Sequence, residues 1–227
     1  MIYYLLIFFI LILNIFFLGY SYPEPSRTDL VIQNINNTLG TNFTMNATKE
    51  LDFHDILKKA LSSFNFNDYE SAIIWYNKAL TFNPLSVVAI NGKGLSFSEL
   101  GKHQEAIELY DKALQIDPKN KQVLNNKGYS LYLQGKYNQA IELYDKALKT
   151  DPTFLDAIAN KGSAFYRLGQ YENALKWLNE ALQIDPALLV SIYYKTRSLE
   201  ELGETHLAAE YFKNASKIYY QTVTSKP

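Results

Sequence analysis

Histidines, a glycine–lysine–glycine segment and many acidic residues are the groups whose chemistry could support catalysis or metal binding. The three histidines, His54, His103 and His206, lie far apart in the sequence. No two of them have the i, i+4 spacing with which a helical HExxH segment holds zinc. We therefore predict that the histidines face solvent and that the chain binds neither a metal nor a cofactor.

Phosphate binding and nucleophilic catalysis are not supported by the residue pattern either. The segment Gly92-Lys93-Gly94 lacks the G-x-x-x-x-G-K-[S/T] spacing of a P-loop, and it falls within a predicted helix. The chain has no cysteine, which excludes disulfides, thiolate metal sites and a cysteine nucleophile. The chain is therefore predicted not to be an enzyme, and catalysis is the least favoured of the functions considered.

The charge balance excludes a strongly basic surface. Lys and Arg number 22, Asp and Glu number 23, and the net charge is −1 with a pI near 6.3. Nucleic-acid-binding proteins usually carry clustered basic residues, so no nucleic-acid partner is predicted. Glu108 and Glu142 each precede a lysine by four residues, Lys112 and Lys146, which predicts ion pairs on solvated helix faces.

Beyond Glu50, the chain repeats itself with a period of 34 residues. Residues that keep this period are Pro84, Pro118, Pro152 and Pro186; Ala72, Ala106, Ala140, Ala174 and Ala208; Ala79, Ala113, Ala147 and Ala181; and Gly94, Gly128 and Gly162. Four sets of markers in one register exclude coincidence. A period of this length indicates a stacked array of helical repeats.

Each repeat is predicted to contain two helices. Apolar residues at helical spacing end at Gly135, which suits the left-handed position after a helix. A second helix begins at Tyr137 and stops before Pro152, because the residue before a proline is pushed out of the helical region. Gly128 and Ala140 are small enough to let the two helices approach closely. Residues predicted to occupy the left-handed turn are Asn67, Gly101, Gly135, Gly169 and Gly203.

The segment from Leu133 to Pro152 resembles the tetratricopeptide repeat. The pattern places five units at residues 53–86, 87–120, 121–154, 155–188 and 189–222. The resemblance implies an all-α fold, a right-handed superhelical solenoid of antiparallel helix pairs. The end units depart from the pattern, with Ala60 and Thr196 at the glycine position and Tyr220 at the proline position. Atypical end units are expected because each has one face without a neighbour.

In proteins that resemble this chain, the first helices of the repeats line a concave groove that binds a peptide or protein. Asparagine can donate to and accept from a peptide backbone, and tyrosine offers apolar area with a polar tip. The alternative is that these residues are merely tolerated on an exposed face. The positions that correspond to the groove are Asn91, Asn125, Asn126, Tyr129, Tyr132, Asn160, Tyr166, Arg167, Tyr193, Tyr194 and Arg197.

A column of lysines shares one repeat position in the first helices: Lys59, Lys93, Lys127, Lys161 and Lys195. The column could attract an acidic partner or a C-terminal carboxylate. Alternatively, each lysine lays its stem along a neighbouring helix and pairs locally with an acidic residue. We favour local pairing.

Residues 1–20 are predicted to be a signal peptide or an N-terminal membrane anchor. Residues 2–18 are apolar except for Asn14, a length at the lower limit of a membrane span. Gly19 and Ser21 would suit cleavage after Ser21, and the sequence does not distinguish a cleaved from a retained segment. In either case, we expect an exported chain, either membrane-anchored and facing outward or secreted.

Residues 21–52 are predicted to be a flexible linker rich in Asn and Thr, and residues 223–227 a short tail. Asn36, Asn42 and Asn46 each begin an Asn-x-Thr triplet, so they are candidate N-glycosylation sites in an exported chain. Chance occurrence in an Asn- and Thr-rich segment is an equally good explanation.

Two functional hypotheses follow. The first is an exported or membrane-tethered adaptor that binds a peptide or protein in its groove. The second is a structural component of a cell-envelope assembly that self-associates through its C-terminal repeat, where Tyr211, Phe212, Tyr219 and Tyr220 could leave apolar surface.

Overall fold

The computed structural model describes residues 47–224, which form ten α-helices and no strand. The first helices of the five pairs are α1 (Ala47–Asn65), α3 (Val87–Glu99), α5 (Lys121–Leu133), α7 (Leu155–Arg167) and α9 (Leu189–Glu201). The second helices are α2 (Tyr69–Phe82), α4 (His103–Ile116), α6 (Tyr137–Thr150), α8 (Tyr171–Ile184) and α10 (Thr205–Thr224). The described chain is therefore all-α.

Short polar side chains fix where several helices begin. The Asp68 carboxylate accepts from the Ser71 amide at 3.1 Å, and the Ser86 hydroxyl accepts from the Ala89 amide at 3.2 Å. Asn120 caps α5 in the same way. Each cap satisfies an N–H that the helix itself leaves unpaired, which stabilises a helix end by about 1 kcal/mol.

The turn inside each repeat has the predicted backbone. Gly135 has φ +77°, and Asn67, the only non-glycine with positive φ among the described residues, has φ +59°. The other predicted positions, Gly101, Gly169 and Gly203, also have positive φ. The left-handed residue lets the chain reverse within three residues, so that each second helix packs antiparallel on its partner.

Small residues allow close contact between the two helices of one repeat. Gly94 lies against the ring of Tyr110, and Gly128 lies against the ring of Tyr144. Both tyrosines are fully buried, as is Ala140. The buried apolar residues form four clusters along the stack, and the half-buried Leu80, Leu114 and Leu188 each pack against two of them.

The stack curves with its first helices on the inner side. Each first helix contacts the next first helix along the chain, from α1 to α9, whereas successive second helices make no comparable contact in the described residues. The first helices are therefore closer together than the second helices. This geometry makes the face formed by α3, α5, α7 and α9 concave, and we call it the concave groove.

Both ends of the array differ from the predicted boundaries. Helix α1 begins at Ala47, inside the predicted linker, because Ala, Lys, Glu and Leu extend a helix without needing an apolar face. Helix α10 continues to Thr224, into the predicted tail, because Tyr220 replaces the proline that stops the other second helices.

The predicted leader, most of the linker, and Asn36, Asn42 and Asn46 lie outside the described residues. No helix within residues 47–224 has both the length and the apolarity needed to cross a membrane.

Candidate functional site

Asparagine pairs connect neighbouring first helices on the concave groove. The Asn126 Nδ2 donates to the Asn91 Oδ1 at 3.0 Å, which joins α5 to α3. The Asn160 Nδ2 donates to the Asn125 Oδ1 at 3.0 Å, which joins α7 to α5. Because each amide is held by a fixed hydrogen bond, its remaining polar atoms have a defined direction.

The structure corrects the expectation for Asn125. Its side chain is only 1% exposed, so it cannot contact a ligand on the surface. Side chains of consecutive residues in an α-helix point about 100° apart. Asn126 is therefore half-buried on the groove, whereas Asn125 lies between α5 and α7. Asn125 therefore acts by positioning Asn160.

Five tyrosines form a cluster at the C-terminal half of the groove: Tyr129, Tyr132, Tyr166, Tyr193 and Tyr194. The hydroxyls of Tyr132 and Tyr194 are 2.8 Å apart, so a hydrogen bond joins α5 to α9 across α7. The Tyr194 ring contacts those of Tyr166 and Tyr193, with centroids 5.1 and 5.0 Å away. The tyrosine cluster therefore ties three repeats together.

The edges of the tyrosine cluster remain accessible. Tyr129 is 37% exposed and Tyr193 is 38% exposed, whereas the other three rings are less exposed. Burial and the hydrogen bond to Tyr194 raise the pKa of the Tyr132 phenol, and burial also raises the pKa of Tyr193. The cluster is therefore uncharged at neutral pH and can offer ring faces and hydroxyls.

Two arginines border the tyrosine cluster. The Arg167 Nε donates to the Tyr137 hydroxyl at 3.1 Å, and this hydrogen bond raises the pKa of the guanidinium. Arg197 pairs with Glu200 at 2.7 Å and with Glu201 at 3.6 Å. The carboxylates offset the charge of Arg197, whereas Arg167 has no carboxylate partner among the described residues.

Two lysines of the column make the local ion pairs expected from the sequence, whereas Lys59, Lys93 and Lys195 lie over aromatic rings. Lys127 pairs with Asp111, and Lys161 pairs with Asp145. The Lys161 ammonium also lies 3.6 Å from the centroid of the Trp177 ring. These lysines therefore contribute to packing between repeats and are not a free row of positive charge.

The predicted i, i+4 ion pairs Glu108–Lys112 and Glu142–Lys146 are absent from the ion pairs of the described chain. The carboxylates one turn further along, Asp111 and Asp145, bind lysines of the next repeat instead. Exposed i, i+4 pairs contribute only a few tenths of a kcal/mol. Such a small gain does not hold two long side chains together.

A cleft of about 790 Å³, not expected from the sequence, lies beside the middle of α1 and the N-terminal ends of α3 and α5. Its lining includes the apolar residues Phe53, Leu57 and Val88 and the polar residues Asn120 and Gln122. A signal was present, because His54, Val88 and Gln122 are 34 residues apart and therefore lie at the same edge of successive repeats. No group of acidic or histidine residues in the described chain could hold a metal ion.

Models of the tetratricopeptide repeat match residues 56–84, 91–154 and 125–188. These matches together span more than half of the 227-residue chain. No curated protein sequence is significantly similar to the chain.

Solved structures share the fold. The MamA protein gives a TM-score of 0.63 at 19% identity, over 77% of this chain and 96% of that chain. MamA from Desulfovibrio magneticus RS-1 gives 0.66 at 18% identity, over 78% and 97%. Pseudomonas aeruginosa pilF gives 0.68 at 22% identity, over 74% and 77%. The paired helices, the repeat period and the family matches show that this chain belongs to the tetratricopeptide repeat family.

Proposed function

We propose that the chain is a non-catalytic adaptor that binds a peptide or protein segment in its concave groove. Repeats of this family form protein-interaction scaffolds. On the concave groove of this chain, side-chain amides are held in place and still have polar atoms that make no hydrogen bond within the described residues. The observation that best supports the groove is the pair Asn126 and Asn160. Each donates one N–H to a neighbouring helix and keeps an Oδ1 and a second N–H without a partner among the described residues.

Affinity capture with the full chain tests this proposal. The groove variant carries Asn126→Ala and Asn160→Ala, and the matched control carries Asn138→Ala and Asn179→Ala on exposed faces of α6 and α8. Each lost hydrogen-bonding amide costs about 1 kcal/mol, so we expect roughly 30-fold weaker binding of the partner by the groove variant. The control should bind like the native chain.

Recovery of the same partners at the same affinity by all three baits would contradict a functional groove. The alternative function, self-association into an envelope assembly, would then be favoured. It draws support from Leu207 on the last described helix, which is 48% exposed. Sedimentation of the full chain would then show a mass that increases with protein concentration.

The location of the adaptor is part of the proposal. Residues 2–18 form a segment that is apolar except for Asn14, and we propose that it exports the chain or tethers it to a membrane with the repeats facing outward. Protease added to intact cells should digest the native chain and spare a variant lacking residues 2–18, which would stay inside. Equal protection of both chains would contradict export.

A further inference from the structure

The two groove asparagines offer the same pair of polar atoms twice. Asn126 and Asn160 occupy the same position in successive repeats, and each is oriented by an equivalent bond, to Asn91 and to Asn125 respectively. Packed helices lie about 10 Å apart. The groove therefore presents a free N–H and a free carbonyl oxygen in one direction, and presents them again about 10 Å further on.

This spacing selects among backbone conformations. A polyproline II helix has three residues per turn and a rise of about 3.1 Å, so it presents the same backbone face about every 9 Å. A β-strand turns alternate residues to opposite faces, so residues three apart do not point the same way. An α-helix uses its own N–H groups internally. Of these three conformations, only a polyproline II helix places the backbone N–H and C=O of residues three apart against both Asn126 and Asn160.

The side chains beside the asparagines favour the same conformation. The exposed rings of Tyr129 and Tyr193 lie in an uncharged cluster, with Tyr129 stacked on Tyr132 at a centroid distance of 6.0 Å. Aromatic-lined grooves are the surfaces on which proline-rich segments dock, since proline rings pack on flat aromatic faces. The asparagine pairs and the tyrosine cluster carry no charge, so a charged residue placed directly against them would lose hydration without gaining a partner there.

We propose that the ligand of the concave groove is an uncharged, proline-containing segment in the polyproline II conformation. Every third residue of this ligand is not proline, because the ligand residues that bind Asn126 and Asn160 must donate an N–H, which proline lacks. Prolines between them pack on the tyrosine cluster. This inference rests on the proposed function and names the chemistry of its ligand.

Selection from a random dodecapeptide library against the full chain tests the ligand class. Peptides are kept if they bind the native chain and the Asn138→Ala, Asn179→Ala control but not the Asn126→Ala, Asn160→Ala variant. Among these peptides, we expect proline to be enriched at least threefold, with non-proline residues recurring every third position. Asp, Glu, Lys and Arg should be depleted.

The outcomes separate this inference from the proposed function. Groove-dependent peptides that are charged, helix-forming or free of proline would overturn the polyproline ligand and leave a peptide-binding groove in place. A selection that yields no groove-dependent peptide would overturn the inference. If partner capture also does not depend on Asn126 and Asn160, the proposed function is overturned as well.

Discussion

Replacing Gly128 by valine should lower the free energy of unfolding by roughly 3 kcal/mol, a large part of the stability of a typical domain. A Cβ at this position would lie 2.6 Å from the Tyr144 Cε1, well inside van der Waals contact. The Tyr144 ring is fully buried, so it has no solvent to move into. Relief requires α5 and α6 to separate, which also breaks the contact of both helices with their neighbours. Urea unfolding of the full chain, followed by circular dichroism, measures the effect.

Gly135→Asn is the matched control for this prediction. Gly135 needs its positive φ of +77°, but a Cβ there would meet nothing within 4 Å. Asparagine tolerates this conformation, and Asn67 already adopts it in the first repeat. The control should therefore cost only a few tenths of a kcal/mol, within the usual range for surface substitutions. Equal losses in the two variants would show that Gly128 is not needed for close packing.

Features set by local backbone rules were predictable from the sequence. The left-handed turns follow from glycine or asparagine at one repeat position, and the ends of the second helices follow from the proline two residues beyond. The close contacts at Gly128 and Ala140 were predictable because only small residues keep the period there. A repeated sequence gives each such signal several times, so the all-α solenoid could be predicted from the sequence.

Features that depend on the direction of a side chain were not predictable in the same way. Asn125 and Asn126 are adjacent and identical in type, yet one is buried between helices and the other faces the groove. Tyr137 belongs to a second helix, so a search limited to first helices could not identify it as the partner of Arg167. The start of α1 was missed because helix propensity, and not an apolar pattern, extends it.

The hydrogen bond between Tyr132 and Tyr194 also could not be predicted from the sequence. These residues occupy different repeat positions and lie 62 residues apart. They meet because the concave side of a curved stack brings first helices close together. The bond links the third repeat to the fifth, so a ligand bound in the proposed groove would meet side chains that are already held in place. Preorganisation of this kind reduces the entropy lost on binding.

Alkaline pH should destabilise the chain through phenols buried under the groove, and this is the second large effect that we expect. Tyr76 is 4% exposed and Tyr144 is fully buried, and burial raises the pKa of both phenols well above 10, the ordinary value. The Tyr144 hydroxyl has no hydrogen-bond partner in the described chain, so nothing stabilises a phenolate there. Because the pKa of each phenol is higher in the folded state than in the unfolded state, its contribution to stability is fully present below pH 10. This contribution is lost as the pH rises above 10.

The size of the loss follows from linkage. Above its unfolded pKa, each buried phenol lowers the free energy of unfolding by about 1.4 kcal/mol per pH unit. Tyr76 and Tyr144 together therefore lower it by about 4 kcal/mol between pH 7 and 11.5. The double variant Tyr76→Phe, Tyr144→Phe should lack this part of the pH dependence. Urea unfolding of both proteins at pH 7 and 11.5 gives the comparison, in which the titration of lysines cancels.

Tyr171→Phe serves as the control, since this half-buried phenol lies at the start of α8. It should leave the alkaline loss of stability nearly unchanged. If the double variant loses as much stability between the two pH values as the native chain, the buried phenols do not control alkaline unfolding. In that case the Tyr144 hydroxyl must reach a partner or solvent once ionised, and its ring would have to pack more loosely against Gly128 than it does in the structure. The alkaline experiment and the Gly128→Val variant therefore test the same buried contact by independent means.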